Sequence, residues 1–187
     1  MADHVDHILS QWRLERPDLD LSAMAVIARI QRVTRFLEHD IESLLIDYDV
    51  NLPGFGVLTA LLRSGPPYRL TPTALYDSLL ISSGAMTNRL DRLSAAGLVD
   101  RVPAENDRRS MLVALTPEGK RLTNTALTAH TEQEQELISC LTPAERKAIT
   151  TLLRKVLETF EDRPTPESND GRSARQRQVL SPSSRRH

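Results

Sequence analysis

Apolar residues recur at helical spacing along most of this chain, and the pattern switches to short branched runs in one place. Val5, Ile8, Leu9 and Trp12 fall at i, i+3, i+4 and i+7, which predicts a short amphipathic helix ending before Pro17. Residues 22–48 predict a long helix, with Met24, Ile27, Ile30, Phe36, Leu37, Ile41, Leu44 and Leu45 on its apolar side. Residues 54–63 predict another, broken by Ser64-Gly65-Pro66-Pro67.

Residues 71–119 carry the most information. Thr71-Pro72 reads as a helix start: the threonine hydroxyl can cap, and proline in the first turn loses an N–H that had no partner. Leu75, Leu79 and Leu80 then mark one buried face. Ile81-Ser82-Ser83-Gly84 interrupts the pattern, and Ser82 or Ser83 can cap the next helix, which runs to about Ala96. In that helix Met86, Leu90 and Leu93 form the apolar stripe. Gly97 closes it as a C-terminal glycine does. Residues 98–102 and 111–115 are short, branched and apolar, and predict two strands. The charged segment 103–110 joins them. Two helices, then a hairpin, then a new helix start at Thr116-Pro117 is the layout of a winged helix-turn-helix.

The polar face of the second helix offers Ser83, Thr87, Asn88 and Asp91, with Arg89 and Arg92 beside it. Short hydroxyls and amides reach base edges in a major groove, and arginine pairs with guanine or phosphate. The hairpin tip carries Glu105, Asp107, Arg108 and Arg109, and arginine on a wing suits the negative potential of a minor groove. Either face, taken alone, also fits an ordinary solvated surface.

Leu-Thr-Pro occurs three times, with its proline at residues 72, 117 and 143, each time opening a predicted helix. This is repeated capping chemistry. The helix from Thr116 runs towards Cys140, and the last carries Ile149, Leu152, Leu153, Val156 and Phe160. The reading divides the chain into helices at 1–52, a winged unit at 53–116, helices at 117–162, and a disordered basic tail at 163–187. The flanking helices carry more apolar surface than the small winged unit can cover.

Composition narrows the class. The 187 residues allow one domain with a real core, and 40% of them are hydrophobic. The net charge is −1, but residues 63–121 hold nine basic and six acidic side chains, a local excess of three positive charges. Residues 164–187 hold five arginines against two acids, which suits loose phosphate contact or simple solvation. A single cysteine, Cys140, excludes an internal disulfide and is expected to be buried or interfacial. The start MADHVDH lacks the pattern of a signal peptide, and no window approaches a membrane span, so a cytoplasmic protein is expected. His4 and His7, near Asp3 and Asp6, are a weak metal pattern, and no metal site is assigned. No glycine-rich phosphate loop, G-x-S-x-G turn or paired acid–base site appears, which argues against an enzyme, and no cofactor is implied.

The helix SSGAMTNRLDRLSAAGLV, the wing motif DRR at Asp107, Arg108 and Arg109, and LTPEG at residues 115–119 together resemble the MarR family of bacterial transcription regulators. Their order and spacing make the resemblance specific, and it extends over residues 20–160. It implies a mainly α fold with a small β-hairpin wing, an obligate homodimer through the N- and C-terminal helices, and double-stranded DNA as partner. It also implies repression relieved by a small-molecule effector. The DNA-binding residues so implied are Ser82, Ser83, Thr87, Asn88, Arg89, Arg92, Asp107, Arg108 and Arg109. The alternative is a winged-helix module that binds protein partners. Arg92, Arg108 and Arg109 discriminate the two, because each should weaken DNA binding when changed to alanine.

The segment QWRLERPDLDLSAMAVIARI further resembles the urate-responsive, PecS-like subgroup, which has an extra N-terminal helix bearing a tryptophan. This resemblance implies a ligand site using Trp12, Arg63 and Arg89. A tryptophan can stack on a flat heterocycle while an arginine pairs with its charge. The subgroup's aspartate, seven positions before the arginine, is replaced here by Gly56. The ligand therefore differs, the response is lost, or another acid such as Asp77 takes the aspartate's place.

Overall fold

The computed structural model describes residues 2–79, 83–104 and 110–161. The order of elements is α1 (His4–Glu15), α2 (Ser22–Ile46), α3 (Leu52–Arg63), β1 (Arg69–Leu70), α4 (Pro72–Leu79), α5 (Ser83–Ala95), β2 (Val99–Pro103), β3 (Met111–Leu115), α6 (Pro117–Leu137) and α7 (Pro143–Glu161). The mainly helical winged fold expected from the sequence is present. The chain divides into two units, Met1–Cys140 and Leu141–His187.

Helix boundaries follow capping chemistry. The side chain of Asn51 accepts from the Gly54 N–H at 2.8 Å, so α3 opens two residues before the expected Gly54, with Pro53 harmless in its first turn. Thr71 and Thr116 accept from Ala74 N–H and Gly119 N–H at 3.1 and 2.9 Å. At α7, Thr142 and Glu145 form the expected capping box. The long α2 stops at Ile46, short of the expected Tyr48, because the chain turns through Asp49 at a φ of 55°. Helix α6 likewise ends at Leu137, before the expected Cys140.

The first unit has one main core. Leu45 of α2, Val57, Leu58 and Leu61 of α3, Leu75 of α4, Met86 of α5, Val99 of β2 and Val113 of β3 are essentially solvent-free. The α5 stripe behaves as its spacing predicts, with Met86, Leu90 and Leu93 all buried. Helix α6 packs on α2 and α3. There His130 sets its ring edge-on to Phe55 at 5.5 Å, and Gln133 donates to the Asp40 carbonyl at 3.0 Å.

The sheet has an element that periodicity does not reveal. Strand β1 is two residues long and pairs antiparallel with β3, through Arg69 with Ala114 and Leu70 with Val113, giving the order β1-β3-β2. Two residues carry no alternation to read. Strand β2 is shifted one residue from its expected start, pairing Val99 with Leu115 and Pro103 with Met111.

Helix α1 docks on the start of α2 through a second small core of Val5, Leu9 and Leu21, with Ala25 and Ala28 against it. Arg29 of α2 adds ion pairs to Asp3 at 2.8 Å and Asp6 at 2.6 Å. Other apolar faces stay open. Val26, Ile27, Val33 and Phe36 of α2 are exposed, and so are Ile149, Leu152, Leu153, Val156 and Phe160 of α7. Among the described residues no helix is long and apolar enough to cross a membrane.

Candidate nucleic-acid interface

The candidate reading helix is α5. Its apolar stripe fastens it to the core, and this fixes which residues face outward. Thr87, Asn88, Asp91 and Arg92 are exposed and Arg89 is half-buried. Asn88, Arg89 and Arg92 make no side-chain ion pair among the described residues. Two unpaired guanidiniums and an amide on one helix face form an unneutralised donor surface, suited to acceptors on phosphate and base edges.

Asp91 differs. Its carboxylate accepts from Arg101 of β2 at 2.6 Å, tying the outer face of α5 to the root of the wing. Strand alternation puts Arg101 on the same face as the buried Val99, yet it is exposed, so this partner is found in three dimensions alone.

Ser83 is the first residue of α5. Ser82 and the wing residues Asp107, Arg108 and Arg109 lie outside the described residues. The wing is described up to Ala104 and from Ser110, where the Ala104 N–H donates to the Ser110 carbonyl at 2.8 Å.

Clefts flank α5. One, of about 310 Å³, lies between Pro72 and Tyr76 of α4, Thr87 and Leu90 of α5, and Arg101 and Met111 of the sheet. The other, of about 390 Å³, lies between Asn51, Pro53 and Gly54 of α3 and Asn88, Arg89 and Arg92 of α5.

The three residues implied for a ligand are not gathered in one of these clefts. Arg89 lines the larger one, which contains neither Trp12 nor Arg63. That cleft sits at the N-terminal end of α3, whereas Arg63 is exposed at the C-terminal end, about 13 Å further along the helix axis. Trp12 is 42% exposed on α1, which is held against α2. At Gly56, a Cβ would meet Leu79 Cδ2 at an ordinary 3.6 Å, so the missing carboxylate is not enforced by packing. Asp77, its candidate substitute, is exposed on α4. Cys140, expected buried or interfacial, is exposed in the single chain, three residues beyond the end of α6. Among the described residues no group of three or more His, Cys, Asp or Glu could hold a metal ion, and His4 and His7 are exposed.

The geometry has counterparts. Residues 48–110 match the model of the MarR family. The chain is 37% identical over 152 residues to the HTH-type transcriptional regulator PecS of Dickeya dadantii, covering 81% of this chain and 92% of that protein. It resembles a cysteine-to-serine mutant of Escherichia coli MarR solved with operator DNA, at 30% identity and a TM-score of 0.66, covering 75% of this chain and 99% of that one. AbsC of Streptomyces coelicolor, at 20% identity and a TM-score of 0.70 over 78% of this chain and 98% of its own, shares the fold. With so long a match to PecS, and a helix-turn-helix whose outward face is built from α5, the chain belongs to the MarR family of transcriptional regulators.

Proposed function

We propose that this protein is a homodimeric, DNA-binding transcriptional regulator that represses from a near-palindromic operator and is released by a small, anionic or aromatic effector. The observation that carries the DNA reading is α5 itself: Met86, Leu90 and Leu93 anchor one face, while Asn88, Arg89 and Arg92 stand on the other without an ion pair among the described residues. Thr87, Asn88 and Arg89 read the major groove together with Ser82 and Ser83, Arg92 takes phosphate, and Asp107, Arg108 and Arg109 belong to the minor-groove wing. The likeness to a mutant MarR of Escherichia coli solved with operator DNA supports DNA as the partner.

The dimer is supported by the apolar rows on α2 and α7, which lie open in the single chain. Burying apolar surface contributes about 25 cal/mol per Å², so such rows strongly favour a second copy. Two-fold symmetry then places the two α5 helices on successive major grooves, with half-sites about 34–36 Å apart. The protein acts in the cytoplasm on chromosomal DNA.

The effector reading keeps Trp12, Arg63 and Arg89 as the ligand residues. Arg89 lines a cleft that holds neither Trp12 nor Arg63, which supports a joint site completed by a second copy at the dimer junction. Because Gly56 removes a carboxylate, the effector carries more negative charge, or fewer donors, than a ligand that needs that acid. The test is a salt titration of binding to duplex DNA flanking the protein's own gene, with random DNA as control. Tight, salt-sensitive preference for the flanking DNA is expected, and equal weak binding to both would overturn local autoregulation and favour a distant operator or a protein partner. Calorimetry with urate and related purines addresses the effector, and absence of heat with all of them removes the purine version.

A further inference from the structure

The Gly97–Leu98 turn that closes α5 and the start of α6 meet in a tight backbone junction. Gly97, at a φ of 70°, ends α5: its N–H donates to the Ser94 carbonyl at 2.9 Å and the Leu98 N–H donates to the Leu93 carbonyl at 2.9 Å. The Gly97 and Leu98 carbonyls then point at Thr116. The Thr116 hydroxyl shares its single proton between them, at 2.8 and 3.2 Å, while its oxygen accepts the Gly119 N–H at 2.9 Å. The Thr116 N–H adds a bond to the Leu98 carbonyl at 3.2 Å. One side chain thus caps α6 and holds the exit of α5.

Gly119 allows the approach. A Cβ there would lie 1.9 Å from the Leu98 carbonyl oxygen and 2.8 Å from its carbon, so any side chain forces backbone from backbone. The turn is also held from the sheet side, where the Lys120 ammonium lies 4.2 Å from the centre of the Tyr68 ring.

We propose that Thr116 and Gly119 are positioning residues for DNA reading: they weld the C-terminal end of α5 to the first turn of α6, so that the dimer geometry of α6 sets the tilt and separation of the two reading helices. This rests on the DNA-reading dimer proposed above. Neither residue touches DNA. A shift of α5 against α6 changes half-site spacing, to which duplex DNA is sensitive because one base pair displaces the next half-site by about 3.4 Å along the axis.

The test uses the full chain and duplexes selected by the wild-type protein from a random pool, plus versions with the central spacer changed by one base pair. Thr116→Val keeps the shape and removes the hydroxyl, Thr116→Ser keeps the hydroxyl, and Gly119→Ala forces the junction apart. Thr116→Val and Gly119→Ala are expected to lose about tenfold or more on the selected duplex, the size of a mismatched base pair, with random-duplex affinity held within about twofold. Their penalty for a changed spacer should shrink, and Thr116→Ser should restore wild-type behaviour. An unchanged spacer penalty in folded Thr116→Val, or Thr116→Ser as defective as Thr116→Val, overturns the proposal.

Gly119→Ala or Thr116→Val could unfold. A second measurement therefore uses the native junction, with spin labels at the exposed positions Ser94 and Thr125 in a Cys140→Ser background, diluted with unlabelled protein. One narrow distance, the same with and without DNA, is expected, and a broad or DNA-shifted distribution overturns the weld. Wild-type protein that selects no duplex at all would count against the functional reading, while the label distance in free protein still decides the junction.

Discussion

The winged lobe and the terminal helices obey the same hydrophobic periodicity but end in opposite conditions. In the lobe, the stripe of Met86, Leu90 and Leu93 is buried to within 6% exposure, in a core shared with α3, α4 and the sheet. In α7 the equally regular Ile149, Leu152, Leu153 and Val156 are all at least 40% exposed, and in α2 Phe36 is 58% exposed. Spacing tells that a helix has an apolar face. It does not tell whether the chain itself supplies the cover. The lobe completes its core internally, whereas the terminal helices keep faces that a second copy would cover.

Charging the open faces should disturb the molecule most. Leu153→Glu with Val156→Glu in α7 should turn a dimer into monomer by light scattering at micromolar concentration, and lower operator affinity by about 100-fold or more, since one half-site is lost with the second copy. An unaltered mass would mean that α7 is not the covered face. Leu58→Ala in α3 should act through the lobe, where deleting a fully buried leucine costs about 2–5 kcal/mol, read as a lower midpoint in urea. If the α7 changes lower the midpoint as much at concentrations where the wild type is already monomeric, the two regions are not distinct.

Arg92→Ala sharpens the functional side of the lobe. It should weaken DNA binding by about 1–3 kcal/mol and reduce the salt slope by about 1, with little change in the unfolding midpoint. A stability loss with an unchanged salt slope would reassign Arg92 to structure. Asp91→Asn should be milder, near the 0–1 kcal/mol of about half-exposed ion pairs, because its bridge to Arg101 is solvated on both sides.

The smallest expected effect concerns α1. Backbone N–H groups of the capping box, chiefly, and the Arg29 guanidinium hold the Asp3 and Asp6 carboxyls below their ordinary value of 3.8. Carboxyls lowered on folding stabilise the docked helix above that ordinary value, and the contribution fades as pH falls through and below it. Emission from Trp12, the single tryptophan, should therefore shift on acidification below that ordinary carboxyl value, and Arg29→Ala should reduce the amplitude. No shift in either protein would leave the docking to Val5, Leu9 and Leu21 alone.

Much of the fold was legible in the residues. The three Leu-Thr-Pro starts, the Gly97 stop and the stripe of α5 located their elements, because caps and 3.6-residue spacing act within a few positions. Strand β1 was not legible, since two residues carry no period, and its pairing comes from β3 more than forty positions away. The polar face of α5 was readable as soon as Met86, Leu90 and Leu93 fixed which side is buried. Arg101 as the partner of Asp91 was not, because strand alternation names a face and never the neighbour across it.

The ligand residues show the same boundary. Trp12, Arg63 and Arg89 share a resemblance in sequence, yet within one chain they lie on α1, at the far end of α3, and in a cleft on α5. The residues alone gave the existence and order of the main helices, the caps at Thr71, Thr116 and Thr142, the hairpin and the membership of a DNA-reading family, because short-range hydrogen bonds and periodic burial are written locally. The tertiary structure alone decided the third strand, the Asp91–Arg101 tie, the faces left open and the backbone contact of Gly119 with Leu98, because each depends on where distant segments come to rest.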